Sequence, residues 1–119
     1  MVQINMEIYD RSSGLFIADP DASPFSYIPG EEDVRSSAER MILSPSGWRK
    51  IFAYDHDEES FSERISPEDT VIAATAALSF ADLVEKTDIT RTPVVALAVD
   101  TRPTGPAIAD TVARVLISR

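Results

Sequence analysis

The sequence contains no cysteine, which removes disulfide frameworks, thiol nucleophiles and Cys-ligated zinc at one stroke. His56 is the only histidine. Lying among Asp55, Asp57, Glu58 and Glu59, it reads as an exposed titrating loop residue rather than a ligand, because the surrounding carboxylates lack a defined metal-ligand spacing. Positive charge is scarce: 20 acidic residues stand against 11 basic ones, a net charge of -9. Nonspecific binding to nucleic acid or to an anionic membrane needs clustered Lys and Arg, so neither partner is expected. No apolar run approaches the roughly 18 residues of a membrane span, and the start at Met1 to Glu7 lacks the basic and apolar regions of a secretory signal. A cytoplasmic location is the expectation.

What is present describes a globular chain. The 119 residues, 44% of them hydrophobic and 26% charged, suit one domain with one core, since domains commonly run about 50–250 residues. Ile4, Met6 and Ile8 alternate with polar residues as in a half-buried strand, and Leu15 to Ala18 offers a second. Pro20, Pro24 and Pro29 make the stretch from Asp19 to Gly30 an arm without regular structure. From Glu31 to Ile42, Val34, Ala38, Met41 and Ile42 recur at helical spacing behind an acidic first turn. Ser44-Pro45-Ser46-Gly47 ends that helix, and Trp48 to Tyr54 is expected as a short strand. The five carboxylates between Asp55 and Glu63 make a solvated loop.

Ser66-Pro67-Glu68-Asp69 is a helix start: a serine N-cap, proline at the first helical position and a carboxylate three residues after the cap. N-capping explains Ser66 better than nucleophilic catalysis does. The helix should run to about Lys86, with apolar residues around so much of its circumference that two sides must be packed. Val94 to Val99 is an unbroken apolar run of the kind found in a central parallel strand. A last helix from about Pro106 puts Ile108, Val112, Val115 and Leu116 on one face. From Trp48 onward the order is strand, helix, strand, helix, which implies a parallel pair joined by a right-handed crossover.

Two arginine-bearing loops carry the candidate chemistry, beside the plainer reading of solvated or salt-bridged basic residues in an acidic protein. In Ser46-Gly47-Trp48-Arg49-Lys50, glycine allows close backbone approach while Arg49 and Lys50 supply charge suited to phosphate oxygens. In Asp100-Thr101-Arg102-Pro103-Thr104-Gly105-Pro106, an arginine sits between a strand's carboxyl end and a helix's amino end, a natural place for an anion.

The stretch Met41-Ile42-Leu43-Ser44-Pro45-Ser46-Gly47-Trp48-Arg49-Lys50-Ile51-Phe52, together with Val94 to Val112, resembles the start of the first domain of the phosphohexomutases, the superfamily of phosphoglucomutase and phosphomannomutase. The resemblance implies an α/β fold: an incomplete three-layer α/β/α domain I, its mixed sheet built on a parallel βαβα core with an N-terminal arm. Residues 1–40 would be the arm and a helix packing on the domain, and residues 41–119 the partial domain I. It also implies phosphoryl transfer between the 1- and 6-positions of a hexose phosphate, through a bisphosphorylated intermediate, with a phosphoserine and Mg²⁺. Ser46, Gly47, Arg49 and Lys50 match the first active-site loop, with Arg49 and Lys50 as the catalytic candidates. Arg102 matches the arginine of the Asp-x-Arg element beside the same cleft.

Pro45 stands where many members have threonine, and Val99 where an arginine often precedes the aspartate. The Thr-x-Ser-His-Asn-Pro loop of the family nucleophile and its Asp-Gly-Asp-Gly-Asp-Arg metal loop do not occur in these 119 residues. This chain is therefore expected to bind no metal and to be inactive alone, its partners being the hexose phosphate and the remaining domains of the parent enzyme. A stand-alone sugar-phosphate or phosphate-binding module, or an interaction module that self-associates through exposed edges, is the alternative.

Overall fold

The computed structural model describes residues 27–87 and 90–119. The strands expected at Ile4 to Ile8 and Leu15 to Ala18, and most of the arm, lie outside the described residues. The elements in order are α1 (Glu31–Ala38), β1 (Ile42–Ser44), β2 (Gly47–Arg49), α2 (Pro67–Thr87) and α3 (Gly105–Ile117), a small mixed α/β arrangement.

Helix α1 starts at Gly30, which offers no capping side chain, so the negative Glu31, Glu32 and Asp33 beside the helix N-terminus take over part of the stabilisation. It ends four residues before the expected Ile42. Backbone N–H groups of Glu39, Arg40 and Met41 close its last turn onto the carbonyls of Arg35, Ser37 and Ala38. Ile42 and Leu43 then pair as strand residues, in the register Ile42↔Arg49, Leu43↔Trp48 and Ser44↔Gly47. Pro45-Ser46 is thus the tip of a hairpin, not a spacer between a helix and a strand. The Ser44 hydroxyl donates to the Gly47 carbonyl at 2.9 Å, and Gly47 adopts a φ of 154°, where a side chain would be strained.

The parallel core expected from the sequence is not found among the described residues. The one sheet among the described residues is the antiparallel pair β1-β2. β2 stops at Arg49, because the chain from Lys50 to Tyr54 turns away into the acidic loop. Val94 to Val99 joins no sheet; Val94 is 97% exposed, and Val95 and Val99 are 38% and 41% exposed. An apolar run specifies a strand that could be buried on both faces, but burial needs neighbouring strands, and the described residues supply none.

Helix α2 matches expectation closely. The Ser66 hydroxyl accepts the Asp69 N–H at 3.1 Å as an N-cap. The helix packs against both α1 and α3. What lies between them is mostly alanine: Ala73, Ala74, Ala77 and Ala81 of α2, and Ala109 and Ala113 of α3, with Ile72 the one large apolar side chain buried. Small side chains let helix backbones approach closely but bury little apolar area each. No described helix is long and apolar enough to cross a membrane.

One polar cluster joins the elements. Asp69 is 0% exposed. Its Oδ1 accepts the Ser37 hydroxyl of α1 at 2.6 Å and lies 2.9 Å from the Lys50 ammonium just beyond β2. Removing one partner of a buried pair leaves an uncompensated charge, which costs about 3–5 kcal/mol. Lys50→Met should therefore lower stability by about that amount, while Lys50→Met/Asp69→Leu should be less destabilised than either single variant. Urea unfolding checks this; a Lys50→Met midpoint equal to wild type would sink it. Ser66→Ala, which removes the cap alone, should cost about 1 kcal/mol in the same assay.

Candidate functional site

Successive side chains of an extended segment point to opposite sides, and that alternation separates the two basic residues of the first loop. Lys50 goes inward: its side chain is 1% exposed and paired with Asp69, and its ammonium also lies 5.6 Å from the Phe52 ring centroid. Arg49 goes outward and is exposed. Opposite Arg49 in the hairpin stands Ile42, so the two share a face. Ser46 lies at the hairpin tip, its hydroxyl 3.1 Å from that of Ser44, and Gly47 follows as the first residue of β2.

The second loop is organised by Asp100. Its Oδ1 accepts the Arg102 N–H at 3.0 Å, and its Oδ2 lies 3.2 Å from the Arg102 Nε. The N–H of Gly105 closes a turn onto the Arg102 carbonyl at 3.0 Å and leads into α3. Asp100 and Arg102 are both largely exposed, with side chains 59% and 82% accessible. A surface pair of this kind contributes little to stability, so Arg102 is available to exchange its partner.

The two loops face one another across a cleft of about 1070 Å³. Arg49, Lys50, Trp48 and Phe52 line it from the hairpin side, and Asp100, Arg102, Thr104 and Gly105 from the side of α3. Ser46 and Gly47 do not line it. The cleft therefore receives an exposed arginine from each loop and the amino end of a helix, which together suit an anion.

Asp57 and Glu58 form part of its rim, carried by a loop that folds on itself. The Tyr54 N–H donates to the Arg64 carbonyl at 3.0 Å, and the Arg64 guanidinium lies 4.9 Å from the Tyr54 ring centroid. Within the loop, Asp55 accepts the Ser60 hydroxyl at 2.7 Å and the Asp57 N–H at 3.2 Å. His56 is exposed and takes a positive φ of 59° at the turn. Among the described residues no group of three His, Cys, Asp or Glu could hold a metal ion. The Mg²⁺ that the resemblance implies therefore finds no ligand set in them.

No protein-family model, curated protein or solved structure matches the chain.

Three features of the site escape the sequence reading. Arg40 lines the cleft, as do Asp57 and Glu58, and Lys50 is held by Asp69. A signal for the last was present: the carboxylate three residues after the Ser66 cap had a second possible use, pairing with a distant cation. Nothing in the local pattern around Arg40 marks it, because its position depends on α1 ending at Ala38.

The Asp55 carboxyl is held below its ordinary value of 3.8, chiefly by the Ser60 hydroxyl and then by the Asp57 N–H. A carboxylate lowered on folding adds stability above its unfolded pKa and loses it as pH falls through the folded value. Asp55 therefore remains an ionised acceptor for the Ser60 hydroxyl and the Asp57 N–H to lower pH than an unperturbed aspartate would. A carboxyl-detected NMR titration should show the Asp55 midpoint below 3.8 and rising in Ser60→Ala; equal midpoints in the two proteins would contradict the assignment.

Proposed function

We propose that this chain is the N-terminal part of a phosphohexomutase-type enzyme, acting in the cytoplasm on hexose phosphates in carbohydrate metabolism. The supporting observation is that Arg49 and Arg102, from the two loops that carry the resemblance, line one cleft although 53 residues separate them. In this reading the cleft forms one wall of a phosphoryl-transfer site. Arg49 approaches the transferring phosphoryl group, neutralises charge on its oxygens and orients it. Arg102 can leave Asp100 for a phosphate oxygen, since both partners are exposed. Lys50 contributes by anchoring the hairpin through Asp69 rather than by presenting its ammonium to the substrate. The phosphoserine and the Mg²⁺ site come from parts of the enzyme outside these 119 residues, and Mg²⁺ would stabilise charge on the phosphoryl oxygens.

The packing supports a larger parent. Phe61, Val94, Leu43, Ile42 and Leu83 are each more than 60% exposed, while the buried apolar side chains are nearly all alanine. An interaction module is the second reading, and the unpaired apolar run Val94 to Val99 favours it, because free strand edges recruit strands. Sedimentation over a range of concentrations separates a monomer from a self-associating chain.

Titration calorimetry with glucose 1-phosphate and glucose 1,6-bisphosphate should show binding in the micromolar to low-millimolar range that weakens at least about tenfold in Arg49→Ala, the loss of one charge-assisted contact. Absence of binding by the wild-type chain would remove the proposal. Interconversion of glucose 1-phosphate and glucose 6-phosphate by the chain alone, after exclusion of contaminating mutase, would equally remove the assignment of the nucleophile to another part.

A further inference from the structure

We infer that Arg40 is an anion-binding residue of the cleft, acting with Arg49 on the dianionic phosphate of a phosphate monoester; this rests on the proposed function. Acidic residues outnumber basic ones 20 to 11, so an exposed arginine has carboxylates within easy reach. Arg35, Arg102, Arg114 and Arg119 are each paired with one or two. Arg40, Arg49 and Arg64 have no acidic partner among the described residues; Arg64 lies 4.9 Å from the Tyr54 ring centroid, whereas Arg40 and Arg49 line the same cleft.

Asp57 and Glu58 line this cleft too, yet neither is paired with Arg40 or Arg49; Asp57 instead accepts the Glu59 N–H at 2.9 Å. Within the cleft, Asp100 pairs with Arg102, while Asp57 and Glu58 leave Arg40 and Arg49 without a carboxylate partner.

Arg40 also has no structural duty that would account for it. It lies just beyond α1, where an arginine often serves the helix C-terminus. Here backbone N–H groups from Glu39, Arg40 and Met41 already satisfy the last carbonyls, and the Arg40 side chain bonds none of them. The hairpin that begins at Ile42 then sets Arg49 opposite Ile42, so one short run of chain delivers both free guanidinium groups to the cleft. Phosphate oxygens are suited to two planar, fully charged forks, each able to donate two hydrogen bonds.

Trp48 is the sole tryptophan and lines the cleft, so its fluorescence reports on occupancy. With inorganic phosphate and glucose 1-phosphate as probes, Arg40→Ala should weaken both about tenfold, and Arg40→Lys by a smaller factor, since a lysine keeps the charge but not the fork. If Arg40→Ala binds both probes as wild type does while Arg49→Ala loses them, this inference falls and the proposed function stands. If wild type shows no saturable response to either probe, by fluorescence or calorimetry, both fall. A response that sodium chloride reproduces at equal ionic strength is charge screening and also overturns the inference.

Discussion

The pairing of Lys50 with Asp69 is the contact on which the arrangement turns. Asp69 belongs to the first turn of α2, Lys50 follows β2, and Ser37, which donates to the same carboxylate oxygen, belongs to α1. Three segments separated in sequence therefore meet at one buried atom. Apolar contacts could hold the same segments together, but not in one register, because alanine faces slide past one another at little cost. A buried charge pair has one satisfactory geometry. The fully buried carboxylate has its second oxygen without a hydrogen bond, so the cluster is costly to form and more costly to break.

The rest of the packing is consistent with that division. α2 lies between α1 and α3, and its buried face is Ala73, Ala74, Ala77 and Ala81 beside Ile72. The larger apolar groups of the same helix, Leu78, Phe80 and Leu83, are 40–63% exposed. Leu78 lies at one flank of the buried alanine face and Phe80 and Leu83 at the other, so the helix has apolar surface still to cover. Val94 to Val99 is in the same condition, with apolar side chains and no strand beside it. Both point to apolar area that the described residues leave open.

The helices were legible in the sequence for local reasons. The Ser66 cap, Pro67 and the carboxylates behind them set the start of α2, and the Gly105-Pro106 step set the start of α3. The sheet was not legible in that way. Whether Ile42 and Leu43 finish a helix or begin a hairpin depends on a partner, Trp48 and Arg49, across a turn. The periodicity of Met41 and Ile42 fitted the helix, but the Ser44–Gly47 turn with its glycine at φ 154° decided for the hairpin. Val94 to Val99 has strand chemistry, and only neighbours can make it a central strand. For the site, the two loops and their arginines were readable, because glycine, proline and charge mark loops. Arg40 was not, since its placement follows from the early end of α1.

Arg49 and Lys50 show how one dipeptide divides its labour. Both are cations, and composition alone would assign both to an anion. Extended geometry sends them to opposite sides, so one meets Asp69 and the other the cleft. The choice of type suits each position: lysine is a compact charge that fits beside a single carboxylate oxygen, at 2.9 Å here, whereas arginine is a fork that stays charged and holds two oxygens. The buried pair thereby fixes the end of β2, and with it the direction of the arginine one residue earlier. The cleft's exposed charge depends on an interaction it does not contain.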